Sequence, residues 1–148
     1  MAMTKDQREA FLAAPRVAVL NVPREGRGPL SSPVWYDFDP GITEAPVWFL
    51  TQTTSIKGKL LKEGLRVSLT VQTETIPYAY VSIEGPVVSI EPYDFDADLL
   101  PMAVRYRGEE GGRAYVERAK AAPRERPASE TCIKVSMRPE EWLSLDFA

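Results

Sequence analysis

Histidine is absent from the 148 residues, and cysteine occurs once, at Cys132. The first absence removes Ser-His-Asp and Cys-His nucleophile systems and all histidine-ligated metal sites, so no metal centre is expected. The second removes internal disulfides and CxxC redox pairs. Cys132 itself lies in the alternating run TCIKVSM and reads as a small core or sheet residue. No apolar run approaches the ~20 residues needed to cross a bilayer. The N-terminal MAMTKDQREA has no apolar signal core, so a cytoplasmic protein without membrane contact is expected. Excess positive charge is also lacking. A net charge of −3 argues against a general nucleic-acid binder, which needs a basic footprint for the phosphate backbone. An enzyme of this composition would draw its difficult chemistry from a bound cofactor.

What is present suits one domain over residues 1–148, with 44% apolar and 26% charged residues. The most informative stretch is Val47–Val71. Pro46–Gln52 is β-branched and aromatic and reads as a strand. Leu65, Val67, Leu69 and Val71 alternate with Arg66, Ser68 and Thr70, the pattern of a half-buried strand. Between them lies a short helix with Ser55 as N-cap and Gly64 past its end. Lys57 falls in its first turn, where a cation opposes the helix dipole. Two explanations stand side by side: an anion held at Thr51–Lys57, or a solvated lysine on the wet face with Lys59 and Lys62.

Around this stretch, Thr4 and Gln7 form a capping-box pattern for a helix that stops before Pro15. Arg16–Val22 is a strand too apolar to have a wet face. Leu30–Phe38 is a strand interrupted at Pro33, which implies an edge or a bulge. Tyr78–Glu91 is a long strand bent at Gly85-Pro86. Asp94–Ala122 forms a helical arm, split near Gly111-Gly112. Thr131–Met137 and Trp142–Phe147 follow as strands with a turn at Arg138-Pro139. From Arg105 to Arg126 seven cations and four glutamates give 7 − 4 = +3, leaving −6 elsewhere, most simply a solvated helix face. Short strands with few crossover helices favour an antiparallel barrel with flanking helices.

In order and spacing, RVAVL (Arg16–Leu20), SPVWY (Ser32–Tyr36), WFLT (Trp48–Thr51), Ser55-Ile56-Lys57, RVSL (Arg66–Leu69), SIEG (Ser82–Gly85) and Arg105-Tyr106 are similar to a known set. The chain resembles the pyridoxamine 5′-phosphate oxidase-like split β-barrel superfamily, and within it the small flavin- and deazaflavin (F420)-dependent oxidoreductases. The resemblance implies a mainly β split barrel that forms a homodimer, with FMN or F420 in clefts at the subunit interface. It places Ser32, Pro33, Val34 and Trp35 along the cofactor ring, and Leu50 and Thr51 beside the ribityl and phosphate portion. Ser55, Ile56 and Lys57 would hold the phosphate, and Tyr80 matches a cofactor-contacting position. Trp35 and Tyr36 read as core or interface packing or as a substrate wall, with Tyr36 or a water as the proton donor. Tyr80 also reads as an ordinary barrel tyrosine.

The chain departs from true pyridoxamine-phosphate oxidases in ending WLSLDFA, without their Trp/Arg/His-containing substrate segment. The expected function is therefore hydride transfer from reduced cofactor to an electron-poor small molecule. F420 is preferred over FMN because the +3 arm suits that cofactor's acidic oligoglutamate tail. The alternative is a non-catalytic module binding a flavin, F420 or a haem-like ligand on the same barrel.

Overall fold

The computed structural model describes residues 1–148. Helix α1 (Lys5–Ala13) opens with the expected capping box. The Gln7 amide donates to the Thr4 hydroxyl at 3.2 Å, and the Thr4 amide to the Gln7 side chain at 2.8 Å. It ends at Ala14, whose extended backbone suits the following Pro15. Strands β1 (Ala18–Val22), β2 (Leu30–Val34), β3 (Tyr36–Phe38) and β4 (Val47–Gln52) follow, then the five-residue helix α2 (Ile56–Leu60). After β5 (Arg66–Gln72) and the long β6 (Ala79–Pro92) comes an arm: a π-helical turn (Phe95–Leu99) and helix α3 (Leu100–Ala121). A short α4 (Ala128–Thr131), β7 (Cys132–Met137) and β8 (Glu141–Asp146) complete the chain.

All strand pairings are antiparallel, in the order β2-β1-β5-β6-β7-β4-β3, with β8 on β6. β2 and β3 are one run separated only by Trp35, so the two ends of this order meet and the sheet closes into a split barrel. Its core is filled by the inward residues of alternating strands, among them Leu20, Phe49, Leu69, Val81, Ile83 and Val135, all with no exposed surface. No helix is long and apolar enough to cross a membrane.

β6 is long because it serves two partners in succession. Residues 79–84 pair with β8 and residues 87–92 with β7, so β7 and β8 run end to end along one side of it. Arg138–Glu140 is thus a step between collinear strands and not a chain reversal. Gly85 lies at this step, where a Cβ would sit 1.8 Å from the Arg138 carbonyl oxygen; the bend at Gly85-Pro86 requires glycine.

Several expected boundaries move. The strand interruption falls at Trp35, not Pro33, which stays in register with Val19 on a strand whose other edge is free. Gly64 does not follow the helix directly; it sits at φ +86° in the turn to β5, three residues past the Leu61 cap. Ala128–Thr131 is helical where a loop and strand start were expected. β1 does alternate: Leu20 and Val22 point inward, while Val17 and Val19 are exposed in the single chain.

The helical arm breaks at Gly108 (φ +79°), not at Gly111-Gly112. Gly112 instead permits a close approach. A Cβ there would lie 2.6 Å from the Val104 nitrogen and 2.7 Å from its Cγ2, so the backbone of one limb of α3 packs directly on the backbone and side chain of the other. Leu99, Ala103 and Val116 form the small core of this folded-back arm, and Trp35 and Leu50 pack against it. Gly112→Ala should therefore destabilise by about 1–3 kcal/mol through overpacking. Gly111→Ala, which would meet only the Arg107 Cβ at 3.3 Å, should lie within roughly 1 kcal/mol of the parent, helped by alanine's helix propensity. Urea midpoints of the two variants test the contrast.

Candidate functional site

The gap between β2 and β3 is where a site becomes available, because the backbone there leaves one neighbour before joining the next. Two adjacent residues of α3 hold it. The Tyr106 hydroxyl accepts from the Tyr36 amide at 3.1 Å and donates to the Arg16 carbonyl at 2.7 Å. Arg105 donates from Nε to the Tyr36 carbonyl at 3.0 Å and from its Nη atoms to Leu12, Ala13 and Ala14 carbonyls at 2.8–3.3 Å. It thereby caps the C-terminal carbonyls of α1, which no helical amide reaches. Asp37, 3.5 Å away, balances its charge.

Trp35 sits in the gap itself. Its indole stacks parallel on Tyr106, with ring centroids 5.0 Å apart and planes within 4°, and leans toward Tyr115 at 5.3 Å. Beside it runs a cleft of about 340 Å³. Pro33, Val34 and Trp35 border the cleft at the strand break, and Leu50, Thr51 and Gln52 border it along β4. Lys57 enters from α2, while Tyr93, Leu99, Met102 and Tyr115 roof it from the arm. Seven of its eleven lining residues are hydrophobic, Thr51 and Gln52 add uncharged polar groups, no carboxylate lines it, and Lys57 is the one charged residue of the lining.

Six of the residues expected at a cofactor site are thus brought together: Pro33, Val34, Trp35, Leu50, Thr51 and Lys57. Ser55 shapes the turn beside them. Its hydroxyl donates to the Gln52 carbonyl at 2.7 Å, accepts from the Gly58 amide at 3.0 Å, and lies 3.1 Å from the Thr51 hydroxyl. The fit is tight, since a Cβ on Gly58 would strike the Gln52 carbonyl at 1.9 Å. The Ile56 side chain is exposed, so only its amide is suited to a ligand. With five residues, α2 has too small a dipole to act alone; Lys57 matters because it is half-buried, borders the cleft and has no ion-pair partner. The Thr53 hydroxyl in the same turn is sealed from solvent without a hydrogen-bond partner.

The other expected residues lie elsewhere. Ser32 is on the opposite face of β2 from Pro33, half-buried. Tyr80 stands on β6 between Gln72 and Leu145, away from this cleft. For Tyr36 the core-packing reading holds and the substrate-side ones fail. Its side chain is fully buried in the barrel, its hydroxyl donates to the Leu12 carbonyl at 2.7 Å, and burial holds its phenol well above the usual range. It is not a substrate wall or a proton donor. Tyr93 and Tyr115 are the tyrosines that reach the cleft. Neither was recognisable in the sequence, because the fold of the arm, and no local spacing, delivers them. Burial, with the Cys132 thiol and Tyr115 phenol nearby, raises the Tyr93 phenol too, so it stays protonated.

No family model and no curated protein matches the chain. Solved structures do. An F420 reductase is 24% identical, with 91% of this chain and 94% of that one covered and a TM-score of 0.67. A conserved hypothetical protein from Mycobacterium tuberculosis is 19% identical over 99% of this chain and 87% of that one, with a TM-score of 0.72. A putative pyridoxamine 5′-phosphate oxidase from Listeria innocua is 16% identical over 95% and 96% of the two chains, with a TM-score of 0.61. The chain has the split β-barrel fold of the pyridoxamine 5′-phosphate oxidase-like proteins.

The buried phenol of Tyr36 makes a pH prediction. The unfolded phenol ionises near about pH 10, whereas the folded one keeps its proton beyond that. The folded state then binds more protons than the unfolded one, so stability is full below about pH 10 and falls as pH rises past it. Tyr36→Phe should lower neutral-pH stability by about 0.5–1.5 kcal/mol, from its lost hydrogen bond, yet flatten the alkaline decline. Denaturant titrations at pH 7 and pH 11 measure both effects.

Proposed function

We propose that the protein is an oxidoreductase that holds F420 or FMN in this cleft and reduces an electron-poor small molecule. The observation that carries the reading is a cleft with aromatic and aliphatic residues on its walls and one unpaired ammonium, Lys57, next to first-turn amides without helical acceptors. That pairing fits a flat ring system joined to a phosphate. Lys57 and the Ile56 and Lys57 amides would bind the phosphate; Leu50 and Thr51 would flank the chain leading to it; Pro33, Val34 and Trp35 would border the ring. When bound, the cofactor supplies hydride chemistry that no side chain here provides. The protein's residues position it and exclude water through Leu99, Met102 and Tyr115. Similarity of fold to an F420 reductase supports F420 as the first choice, with FMN second.

The functional unit in this reading is a homodimer. A groove of about 810 Å³ runs along the outer face of β1 and β5, bordered by Val17, Val19, Thr70 and Gln72, and it meets the cleft at Pro33. Covering that groove with a second copy would bury Val17 and Val19 and extend the cleft. Tyr80, beside Gln72, would then lie at the interface.

Lys57→Ala should weaken binding of both cofactors roughly 10- to 150-fold, from the loss of one charged hydrogen bond of about 1.5–3 kcal/mol. Folding should change little, and Lys59→Ala and Lys62→Ala should bind nearly as the parent does. Fluorescence titration reads the affinities; an unchanged affinity for Lys57→Ala removes the phosphate from this turn. Light scattering at micromolar concentration should give the mass of a dimer, and a monomer alone would remove the shared-cleft arrangement. Turnover of an artificial electron acceptor by cofactor-loaded protein separates an enzyme from a module that only binds.

A further inference from the structure

The arm carries seven cations between Arg105 and Arg126, and the structure divides them sharply. Five are engaged within the chain. Arg105 serves the α1 carbonyls and Asp37, and Arg113 pairs with Glu109 at 2.6 Å. Lys120 pairs with Asp96 at 2.8 Å, Arg126 with Glu130 at 3.1 Å, and Arg124 binds the Ala119 and Ala122 carbonyls. The two left over are Arg107 and Arg118. Both are exposed, neither has an ion-pair partner, and both guanidinium groups lie over the same ring: 5.5 Å and 6.0 Å from the centre of Tyr115. Tyr115 is a wall of the cleft, in which no carboxylate offsets them.

We propose that Arg107 and Arg118 form a carboxylate-recognising rim to the cleft, with Tyr115 as the surface against which a planar acid lies. This rests on the cleft being the ligand site of the proposed function, and it goes further by giving the ligand a charge. Guanidinium groups bind carboxylates through paired N–H donors, and the aromatic ring beneath keeps both near one spot. The contrast with Arg113, Lys120 and Arg126 is what gives the pair meaning: a merely solvated arm face would leave paired and unpaired cations scattered, not both unpaired ones over the one ring, Tyr115, that borders the cleft. The carboxylate can come from the molecule to be reduced or from the glutamate tail of F420. The chemistry is shared, and the first source gives the substrate class: electron-poor aromatic acids.

The test compares 4-nitrobenzoate with its methyl ester, and F420 with F420 trimmed of its glutamates, on the parent, Arg107→Gln/Arg118→Gln and Arg113→Gln proteins. Affinities are read by chemical-shift titration at low and moderate salt, after thermal melting has confirmed that each variant is folded. The parent should prefer the acid, and the double variant should lose on the order of 3- to 30-fold in acid affinity with the ester unchanged. The preference should shrink with salt, and Arg113→Gln should match the parent. A loss confined to full-length F420 would support the rim and assign its carboxylate to the cofactor. Equal binding by parent and double variant in both arms overturns the rim. If neither F420 nor FMN binds while the acid preference stands, the cofactor reading fails and the rim survives it.

Discussion

The hold of Arg105 and Tyr106 on the β2–β3 gap is the constraint on which the site depends. A barrel strand that changes neighbours must leave backbone groups unpaired at the crossing, and here they are met by side chains from a helix some seventy residues later in the chain. The same arginine ends α1, so one guanidinium ties the N-terminal helix, the strand break and the arm together. It does so from a largely buried position, with its side chain 14% exposed. Trp35 then has one available neighbour for its inner face, the Tyr106 ring, and its position beside the cleft is set.

That arrangement explains why the cleft gathers aromatic and aliphatic side chains yet carries charge at one place in its lining. The arm closes over the outer face of β4 with its own small core of Leu99, Ala103 and Val116, while Met102 and Tyr115 turn toward the cleft. The barrel's main core lies on the other side of the sheet, so the site is not a defect in that core. Ser55, Thr51 and Gly58 build a tight turn against the end of β4, and this turn aims Lys57 at the cleft. The ammonium has no ion-pair partner, and no carboxylate lines the cleft it borders.

Local chemistry made much of this legible in advance. The capping box of α1, the Ser55 cap, the alternation of β5 and the bend at Gly85-Pro86 are all statements about residues within a few positions of one another. The order of short motifs reached further and placed Pro33 to Trp35, Leu50, Thr51 and Lys57 together. Long-range packing stayed hidden. Tyr36 alternates with Trp35 and so faces the barrel interior, but its neighbour's outward position was not enough to say which of the two met the cleft. Gly108 and Gly112 look equivalent as helix glycines; only the folded-back limb shows that one turns the chain and the other admits Val104. Tyr93 and Tyr115 come from different elements, and no spacing joins them.

The central claim is that a flavin-type ring lies in the cleft beside Trp35. It is tested most directly in a protein in which Trp48→Phe and Trp142→Phe leave Trp35 as the sole indole. Titration with F420 and with FMN, followed by Trp35 emission and independently by equilibrium dialysis, should show saturable quenching that tracks the dialysis isotherm, at one cofactor per chain. Cofactor that binds by dialysis while Trp35 emission stays unchanged, or the absence of binding by either cofactor, would contradict the account.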